Sequence, residues 1–378
     1  MIYHLLTESE PFSEHFGGAL SRWTANVLRE DDSAVVVCPW ADDSWNFTGG
    51  RTITLPGFSD YQGWSRMFRS RFAIGLRLSL LRSILAPLVT RFEEDDVVYV
   101  HNRPEFALAL GPSCRRRRSR LVLHMQNSHL LALPRKYRNQ LNVDAFVFCS
   151  DFLKQEALEH GVPAERTAVI PNGADESLFF PPHNPQLAEH SPFPPVVLFV
   201  GRLVPEKGAH VFLEAMRVLH KREVQAAGKI VGCVNFGSSE ESPYLEQLKR
   251  EKPANVEFGE YVSGTALAEE FRNANVFCCP STWGEPFGMV NVEAMATGLP
   301  VVATKVGGIP EIFVEGGGLL VQRDSASELA SAIELLVKDR GKRTQLAEEG
   351  YRAFQKRFRW QSIRGQYRGL IEGLLETA

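Results

Sequence analysis

The segment of residues 276–303 constrains the fold more than any other part of the sequence. An apolar run at 276–280 ends in a short loop, a helix is predicted to open near Pro286 and to stop before Gly298, and a second apolar run at 299–303 follows at once. Proline suits the first turn of a helix and glycine its end. Two strands joined by one helix must be parallel, and ligands bind such sheets at the carboxyl ends of the strands. The segment therefore predicts a βαβ unit with a site at that edge.

Two glutamates lie at this predicted edge. Glu285 stands in the loop before the helix, and Glu293 follows about two helical turns later. Capping of the helix or its dipole explains Glu285 when it is taken alone. Glu293 interrupts an apolar run, so we expect it to face a polar group. Because an ionised carboxylate accepts two hydrogen bonds in a plane, two of them in one crevice suit a vicinal diol.

Arg202 and Lys207 follow the predicted strand 196–201, between Gly201 and Gly208. A cation at the N-terminus of a helix opposes the helix dipole by roughly 0.3–1 kcal/mol. A bound anion therefore explains Lys207 better than the alternative, which is a pair of solvated loop charges.

Paired glycines occur at two further loop positions. Gly17 and Gly18 lie between a short apolar strand and a helix predicted from Ala19, an order that directs backbone N–H groups toward an anion. A mobile surface loop is an equally good interpretation of that pair. Gly307 and Gly308 precede a short predicted helix, and small residues there let the backbone approach a ligand.

These residues resemble, in type and in order, those of GT-B glycosyltransferases of the large retaining family four, which uses nucleotide sugars. Residues 285–293 resemble the E-x7-E signature of that family, and three more segments agree with it: VGRLVPEKG at 200–208, IPNGAD at 170–175 and GGIPE at 307–311. The resemblance covers essentially the whole chain. It implies an α/β GT-B fold, in which two Rossmann-like, doubly wound parallel-sheet domains face each other across a cleft.

The resemblance also implies roles for individual residues. It identifies as catalytic Glu285, His124, Arg202 and Lys207. The implied donor-binding set is Gly17, Gly18, Arg202, Lys207, Tyr261, Val262, Glu285, Phe287, Gly288, Met289, Val290, Glu293, Gly307 and Gly308. Within this set Glu285 is implied to contact the transferred sugar, Glu293 the ribose, and Arg202 with Lys207 the diphosphate.

Some of these assignments have a competing interpretation. Tyr261 and Val262 are explained equally well by a turn, and a histidine such as His124 is more often structural than catalytic. The acceptor candidates are chosen on position alone, since they follow two predicted strands of the first half. They are His101, Asn102, Arg103, Gln126 and Asn127.

Alternating strands and helices on both sides of a proline-rich segment, residues 181–195, predict two domains. The predicted acceptor-binding domain comprises 1–185 together with the C-terminal helix 358–378, and the nucleotide-sugar-binding domain comprises 186–357. The return of that last helix to the first domain is implied by the resemblance, whereas its own spacing predicts only a helix buried on one side. Further strands are predicted at 2–6, 34–38, 97–101, 121–124, 145–149, 168–170, 229–233, 256–258 and 319–321, and a long helical region at 60–92.

The composition excludes some functions and leaves others open. A net charge of −3 with 23% charged residues gives no general sign of nucleic acid binding. The region 64–140 is locally basic, which indicates either peripheral contact with an anionic membrane or a solvated face. There is no D-x-D sequence and no cysteine or histidine cluster with metal spacing, so no metal and no cofactor are expected.

The cysteines and the apolar runs suggest a cellular location. The six cysteines show no paired spacing and are expected to be reduced core residues. The N-terminus becomes polar too soon for a signal peptide, and no later run reaches the ~20 apolar residues of a membrane span. We therefore expect a cytoplasmic protein, with a peripheral position at the inner face of the membrane as the alternative.

The predicted function is that of a metal-independent, retaining hexosyltransferase. It would move a hexosyl group from a nucleotide-diphosphate sugar, with UDP favoured over GDP, to a hydroxyl of a glycan or lipid-linked acceptor in cell-envelope or surface glycan biosynthesis. One alternative is a GT-B nucleotide-sugar epimerase or phosphorylase. The other is non-enzymatic, because HNRP at 101–104 and HMQNSH at 124–129 resemble glycosyltransferase-like proteins of bacterial spore coats.

Overall fold

The chain divides into two compact units. The structure is a computed structural model that describes residues 1–14, 18–29, 33–42, 51–61, 63, 73–182, 194–234 and 242–376. The first unit comprises Met1–Asn172 and Trp360–Ala378, and the second comprises Gly173–Arg359. The sequence predicts the boundary at residue 185, within the proline-rich segment, but the second unit already begins before that segment. Most of the segment lies outside the described residues.

A parallel sheet forms the centre of the first unit. Its strands are β1 (Ile2–Leu5), β2 (Ala34–Cys38), β3 (Arg51–Thr54), β4 (Val97–His101), β5 (Arg120–Met125), β6 (Ala145–Phe148) and β7 (Thr167–Val169). In space they follow the order β3-β2-β1-β4-β5-β6-β7, and each neighbouring pair is parallel. Every residue of β2 and β4 is buried, as expected when both faces of a parallel sheet are covered.

The helices of the first unit begin with local signals that the sequence contains. They are α1 (Ala19–Val27), α2 (Ile74–Val89), α3 (Pro104–Arg117), α4 (His129–Ala132), α5 (Arg135–Arg138) and α6 (Asp151–Glu159). Helix α3 has proline in its first turn, and the Ser150 side chain accepts a hydrogen bond from the Leu153 N–H at the start of α6. Helix α1 buries Leu20, Trp23 and Val27, which lie on one helical face.

The second unit repeats the architecture with its own parallel sheet. Its strands are β8 (Val196–Val200), β9 (Ala227–Val231), β10 (Val256–Phe258), β11 (Val276–Cys279), β12 (Val301–Thr304) and β13 (Gly318–Val321), in the order β10-β9-β8-β11-β12-β13. Its helices are α7 (Ala209–Lys221), α8 (Pro243–Glu251), α9 (Gly264–Arg272), α10 (Met289–Ala296), α11 (Ile309–Ile312), α12 (Ala326–Lys338) and α13 (Arg340–Arg357). Phe212 and Met216 of α7 are among the fully buried residues of this core.

The last helix, α14 (Trp360–Glu376), belongs to the first unit although it follows the second in the chain. Ile363 and Tyr367 join the hydrophobic core of that unit. The Arg364 guanidinium donates a hydrogen bond of 3.2 Å to the carbonyl oxygen of Asn26 in helix α1.

Several predicted elements differ from the observed ones. Helix α10 begins at Met289 rather than near Pro286, because Gly288 just before it has a φ of 95°. The C-terminal helix predicted at 358–378 is observed at Trp360–Glu376, and a short break separates it from the preceding helix, which ends at Arg357. Strand β3 was not predicted, since its sequence RTIT lacks an apolar run.

Other predictions on elements and cysteines have mixed outcomes. Within the long region predicted to be helical, the structure describes α2, whereas Arg66, Arg69 and Arg71 lie outside the described residues. All six cysteines are buried free thiols, as predicted. Among the described residues, no helix combines the length and the apolar character needed to cross a membrane.

Histidines take part in the core of the first unit. His4, His101 and His124 have no exposed surface, and they lie on the adjacent strands β1, β4 and β5. His4 is in register with Tyr99, and His101 is in register with His124. Because residues two apart on a strand share a face, these side chains meet on one side of the sheet.

Aromatic rings and hydroxyl groups surround the buried histidines. Nδ1 of His4 lies 3.1 Å from Nε2 of His101, and Nε2 of His4 lies 2.8 Å from the Tyr367 hydroxyl of α14. The ring centres of Trp23 and His124 lie 4.5 Å apart. Burial lowers the pKa of His4 and of His124 to about 3, and it also lowers the pKa of His101 well below its usual value.

This cluster predicts an acid-sensitive stability. The histidines are neutral in the folded protein, whereas in the unfolded chain they bind protons below a pH of about 6.5. Their contribution to stability is therefore complete above that pH and is lost as the pH falls toward 3, at up to about 1.4 kcal/mol per pH unit for each histidine. Urea unfolding between pH 7 and pH 5 should show this decrease in the free energy of unfolding. His124→Phe should make the slope smaller by the contribution of one histidine. An identical slope in the two proteins would contradict the prediction.

Candidate functional site

The loops after β8 and β11 meet at the carboxyl edge of the second sheet. The strand order changes direction between these two neighbours, which is where doubly wound sheets bind ligands. Hydrogen bonds connect the loops. The Thr282 N–H donates to the carbonyl oxygen of Glu206 at 2.9 Å, and the Thr282 hydroxyl donates to that of Pro205 at 3.1 Å. The two loops therefore form one continuous surface.

An ion pair between Lys207 and Glu285 lies at this junction. The Lys207 ammonium is 2.6 Å from Oε2 of Glu285, and the two side chains are 23% and 10% exposed. No cation stands near Glu285 in the sequence, but the fold supplies one from 78 positions away. Lys207 was predicted to meet a bound anion. In the structure its partner is a carboxylate of the protein.

Two further side chains donate hydrogen bonds to the same carboxylate oxygen. The Trp283 indole N–H is 3.0 Å from Oε2 of Glu285, and the Ser281 hydroxyl is 3.3 Å from it. The Lys207 ammonium also lies 5.7 Å from the centre of the Trp283 ring. Neither Trp283 nor Ser281 was predicted as a site residue, because nothing in the sequence pattern indicates which neighbours of Glu285 turn toward it.

Two glycines allow the backbone to pack closely around this pair. Gly208 has a φ of 75°, and a Cβ there would lie 1.9 Å from the carbonyl oxygen of Pro280. Gly307 has a φ of 55°, and a Cβ there would lie 2.1 Å from the carbonyl oxygen of Glu285. That same oxygen accepts a hydrogen bond of 2.8 Å from the Gly308 N–H. The loop of Gly307 and Gly308, predicted to approach a ligand, thus supports the backbone of Glu285 directly.

The other predicted donor-binding residues of this segment begin helix α10. Gly288 precedes the helix, Met289 and Val290 are half-buried in its first turn, and Glu293 is 7% exposed. Phe287 is buried, and the centre of its ring lies 6.0 Å from the centre of the Phe358 ring. The structure therefore brings this group to the loop that carries Glu285.

The remaining predicted residues of the second unit lie in separate loops. Arg202 is half-buried after β8, and no described residue forms a hydrogen bond or an ion pair with its guanidinium. Tyr261 is exposed and Val262 half-buried in the loop after β10, an edge strand that β9 separates from β8. Over the described parts of the chain, no group of three or more His, Cys, Asp or Glu side chains is arranged to hold a metal ion.

A carboxylate of the protein occupies the N-terminus of α1 in the first unit. Oε1 of Glu10 accepts a hydrogen bond of 3.1 Å from the Ser21 N–H, and a Cβ on Gly18 would lie 2.8 Å from that oxygen. Burial raises the pKa of Glu10, and the N–H groups of Ser21, Gly18 and Leu20 act in the opposite direction. The expected anion at this helix is therefore a side chain of the chain itself. Gly17 lies outside the described residues.

The predicted acceptor residues occupy both buried and accessible positions. Asn102 has a φ of 52°, and its side chain accepts a hydrogen bond of 2.6 Å from the Gln126 N–H. Arg103 forms a two-pronged pair with Glu8, which is 4% exposed, at 2.7 and 2.8 Å. Asn127 is half-buried and accepts from the His129 N–H at 3.0 Å.

Two predicted site residues lie in the core rather than on a binding surface. The resemblance directs His124 toward the donor sugar, and position made His101 an acceptor candidate. The structure encloses both rings completely among aromatic side chains. The reason is that His101, the last residue of β4, and His124, the last but one of β5, still point into the layer covered by α1 and α14. A side chain at the end of an apolar strand is not always directed into the space beyond it.

Two family models match the chain. Residues 185–353 match Glycosyl transferases group 1, and residues 22–178 match Glycosyltransferase Family 4. Together the two matches cover most of both units. The two parallel sheets and the site at the switch point define a GT-B fold. The chain belongs to the group 1 glycosyltransferases of this fold.

Known proteins resemble the chain to different extents. The lipopolysaccharide 1,2-N-acetylglucosaminetransferase of Salmonella typhimurium is 28% identical over 325 residues, which is 80% of each chain. Spore coat protein SA of Bacillus subtilis is 31% identical over 173 residues, 44% of this chain, and the match spans only 46% of that relative. A crystal structure of Anabaena Alr3699/HepE in complex with UDP and glucose has a TM-score of 0.71, with 21% identity, and covers 99% of this chain and 100% of that one.

The packing beneath Glu285 can be tested with two glycines of nearly equal φ. Gly264 has a φ of 56° and no atom within 4 Å of a built Cβ, so Gly264→Ala should cost only the roughly 1–2 kcal/mol of a left-handed residue. Gly307→Ala adds a collision with the Glu285 backbone and should lower the free energy of unfolding by about 1–3 kcal/mol more. Urea unfolding followed by circular dichroism measures both. Equal losses would show that the loop yields without cost.

Proposed function

We propose that the chain is a retaining hexosyltransferase. It takes a nucleotide-diphosphate sugar as donor, with UDP favoured over GDP, and transfers the sugar to a hydroxyl group of a glycan or lipid-linked acceptor of the cell envelope or surface. The observation that carries the proposal is the pairing of Lys207 with Glu285 at the switch point of the second sheet. A cation and a carboxylate side by side suit a ligand that has a diphosphate next to a polyol.

Two comparisons support this choice of substrates. The Anabaena neighbour was solved with UDP and glucose, and the Salmonella relative is named as a lipopolysaccharide N-acetylglucosaminetransferase. The Anabaena structure supports a donor made of a uridine nucleotide and a hexose. The second supports an acceptor in the cell envelope.

The chemistry follows from the charges at the junction. As the bond from the anomeric carbon to the diphosphate oxygen breaks, negative charge develops on that oxygen, and Lys207 with Arg202 stabilises it. The acceptor oxygen forms its bond to the anomeric carbon on the same face, and its proton passes to the departing phosphate. Glu285 accepts hydrogen bonds from the sugar and Glu293 from the ribose. Cationic side chains balance the diphosphate in this scheme, so the proposed reaction requires no metal ion.

A screen of donors tests the proposal. Thermal shift with nucleotides and then with their sugars should reveal one preferred donor, because a ligand at a hundred times its dissociation constant stabilises by roughly 2.7 kcal/mol. The preferred sugar should be hydrolysed slowly in the absence of an acceptor, and turnover should persist with a chelator present. A protein that neither binds nor hydrolyses any member of the panel would contradict the proposal. Loss of turnover on chelation, restored by Mg²⁺, would refute only the metal independence.

The same panel decides between this function and a structural role. The similarity to spore coat protein SA over less than half of each chain favours a surface-assembly protein as the second candidate. Such a protein would show no donor hydrolysis. An epimerase or a phosphorylase would convert the donor into a different sugar nucleotide or sugar phosphate, which chromatography of the products separates from hydrolysis.

The two glutamates should separate nucleotide binding from turnover. Glu293→Ala removes a proposed ribose contact and should weaken binding of the bare nucleoside diphosphate by about 10- to 100-fold, since hydrogen bonds to charged groups contribute roughly 1.5–3 kcal/mol. Glu285→Ala should spare that binding and lower kcat instead. Calorimetry with the nucleoside diphosphate and steady-state kinetics give the two constants. Equal loss of nucleotide binding in both variants would reverse the assignment.

The basic end of α3 predicts attraction to anionic membranes if the acceptor is lipid-linked. Arg116 and Arg117 are exposed there, and each well-placed cation contributes about 1 kcal/mol at a charged bilayer. Flotation with anionic vesicles should recover the wild-type protein at low salt, and Arg116→Glu with Arg117→Glu should reduce the recovery. Lys249→Glu with Arg250→Glu, at exposed positions of the second unit, is the control. Equal recovery with neutral vesicles would remove the membrane from the proposal.

A further inference from the structure

The Lys207–Glu285 pair presents a difficulty for donor binding. In the proposed function, Lys207 must neutralise the diphosphate, yet its ammonium is already held at 2.6 Å by Glu285. Glu285 is buried, with 7% of the whole residue exposed. Removing the partner of a buried charge is strongly destabilising, so the carboxylate needs other donors when Lys207 turns away.

Trp283 and Ser281 are the donors that remain. The Trp283 indole N–H and the Ser281 hydroxyl both reach Oε2, which is also the oxygen that Lys207 contacts. Of these two contacts, the indole bond is the shorter, at 3.0 Å against 3.3 Å. Oε1 of Glu285 receives no hydrogen bond from any described residue, which leaves this oxygen for a ligand hydroxyl.

The loop holds Trp283 in place independently of the ion pair. Its neighbour Thr282 makes two hydrogen bonds to the turn that carries Lys207, through its N–H to Glu206 and through its hydroxyl to Pro205. Ser281 is 1% exposed, and its carbonyl oxygen accepts a hydrogen bond of 2.7 Å from the Thr304 hydroxyl. These bonds hold the backbone beside Trp283, and none of them involves the side chain of Lys207 or Glu285.

Trp283 also faces the cation. The Lys207 ammonium lies 5.7 Å from the centre of the indole ring, within the range of a cation–π contact, and the tryptophan is 37% exposed. Trp283 therefore contacts both members of the ion pair, Glu285 through a hydrogen bond and Lys207 through the face of its ring. Movement of Lys207 changes the electrostatic field at the ring.

We propose that Trp283 is a positioning residue that keeps the Glu285 carboxylate oriented when Lys207 leaves it for the donor diphosphate. The indole N–H holds Oε2, so that Oε1 stays directed toward the hydroxyl groups of the sugar. This inference rests on the proposed function, because it takes Lys207 as a ligand of the diphosphate. It adds a residue and an exchange of partners to that function.

Trp283→Phe is the decisive variant, because it removes the N–H donor and keeps a smaller aromatic ring at the same position. The residue is partly exposed, so the variant should fold, and circular dichroism with thermal unfolding checks this. Trp40→Phe is the matched control, since Trp40 is 43% exposed and belongs to the first unit, whereas Glu285 belongs to the second. Ser281→Ala removes the weaker donor and should have the smaller effect of the two site variants.

Two measurements separate positioning from simple packing. Trp283→Phe should bind bare UDP or GDP within about twofold of the wild type, while kcat falls by roughly 10- to 100-fold, the effect expected for a lost hydrogen bond to a charged group. Nucleotide binding should also change the tryptophan fluorescence of the wild type and of Trp40→Phe. In Trp283→Phe that change should disappear.

The outcomes distinguish this inference from the proposed function. If the wild type binds and turns over a donor but Trp283→Phe keeps its kcat, or keeps the fluorescence change, Trp283 is not the positioning residue and the proposed function stands. If Trp283→Phe loses affinity for UDP or GDP as much as it loses kcat, the indole binds nucleotide rather than orienting Glu285, and the inference is again overturned. If the wild type responds to no nucleotide and turns over no nucleotide sugar, the proposed function fails and the inference fails with it.

Discussion

The ion pair between Lys207 and Glu285 depends on the order of strands in the second sheet. The two residues are 78 positions apart, and they meet because β8 and β11 are neighbours whose loops leave the same edge. An antiparallel pair would send these loops to opposite ends of the sheet. The chemistry proposed for the chain thus rests on a parallel sheet and on the switch point within it.

Close backbone contacts make that meeting possible. Gly208 lies against Pro280, and Gly307 lies against Glu285, at distances that leave no room for a Cβ. Each glycine joins a loop of one strand to the loop of its neighbour. Contacts inside the protein therefore require Gly208 and Gly307, whether or not a ligand is bound. A side chain at either position would push the neighbouring loops apart.

The carboxyl edge of the first sheet is occupied by its own side chains. Glu10 accepts N–H groups at the start of α1, and Glu8 holds the guanidinium of Arg103. Farther in, His101 and His124 are buried among aromatic rings. The hydrogen bonds of Glu10 and Glu8 satisfy carboxylates that would otherwise be buried without partners. The candidate residues of the first unit are therefore less accessible than those of the second.

Apolar runs and helix boundaries are local signals, so the sequence alone predicted two parallel-sheet domains, most of the strands and the segments that gather at the second switch point. The GT-B fold was implied by the resemblance to a known family. Strand β3 lacked such a run, and the positive φ of Gly288 delayed the start of α10. Local signals also could not show that Lys207 has a carboxylate partner, that Trp283 and Ser281 turn toward Glu285, or that His124 turns inward. Those facts depend on which side chains distant segments bring together. Only the tertiary structure decides them, since a side chain's neighbours are set by strand order and packing and not by its position in the chain.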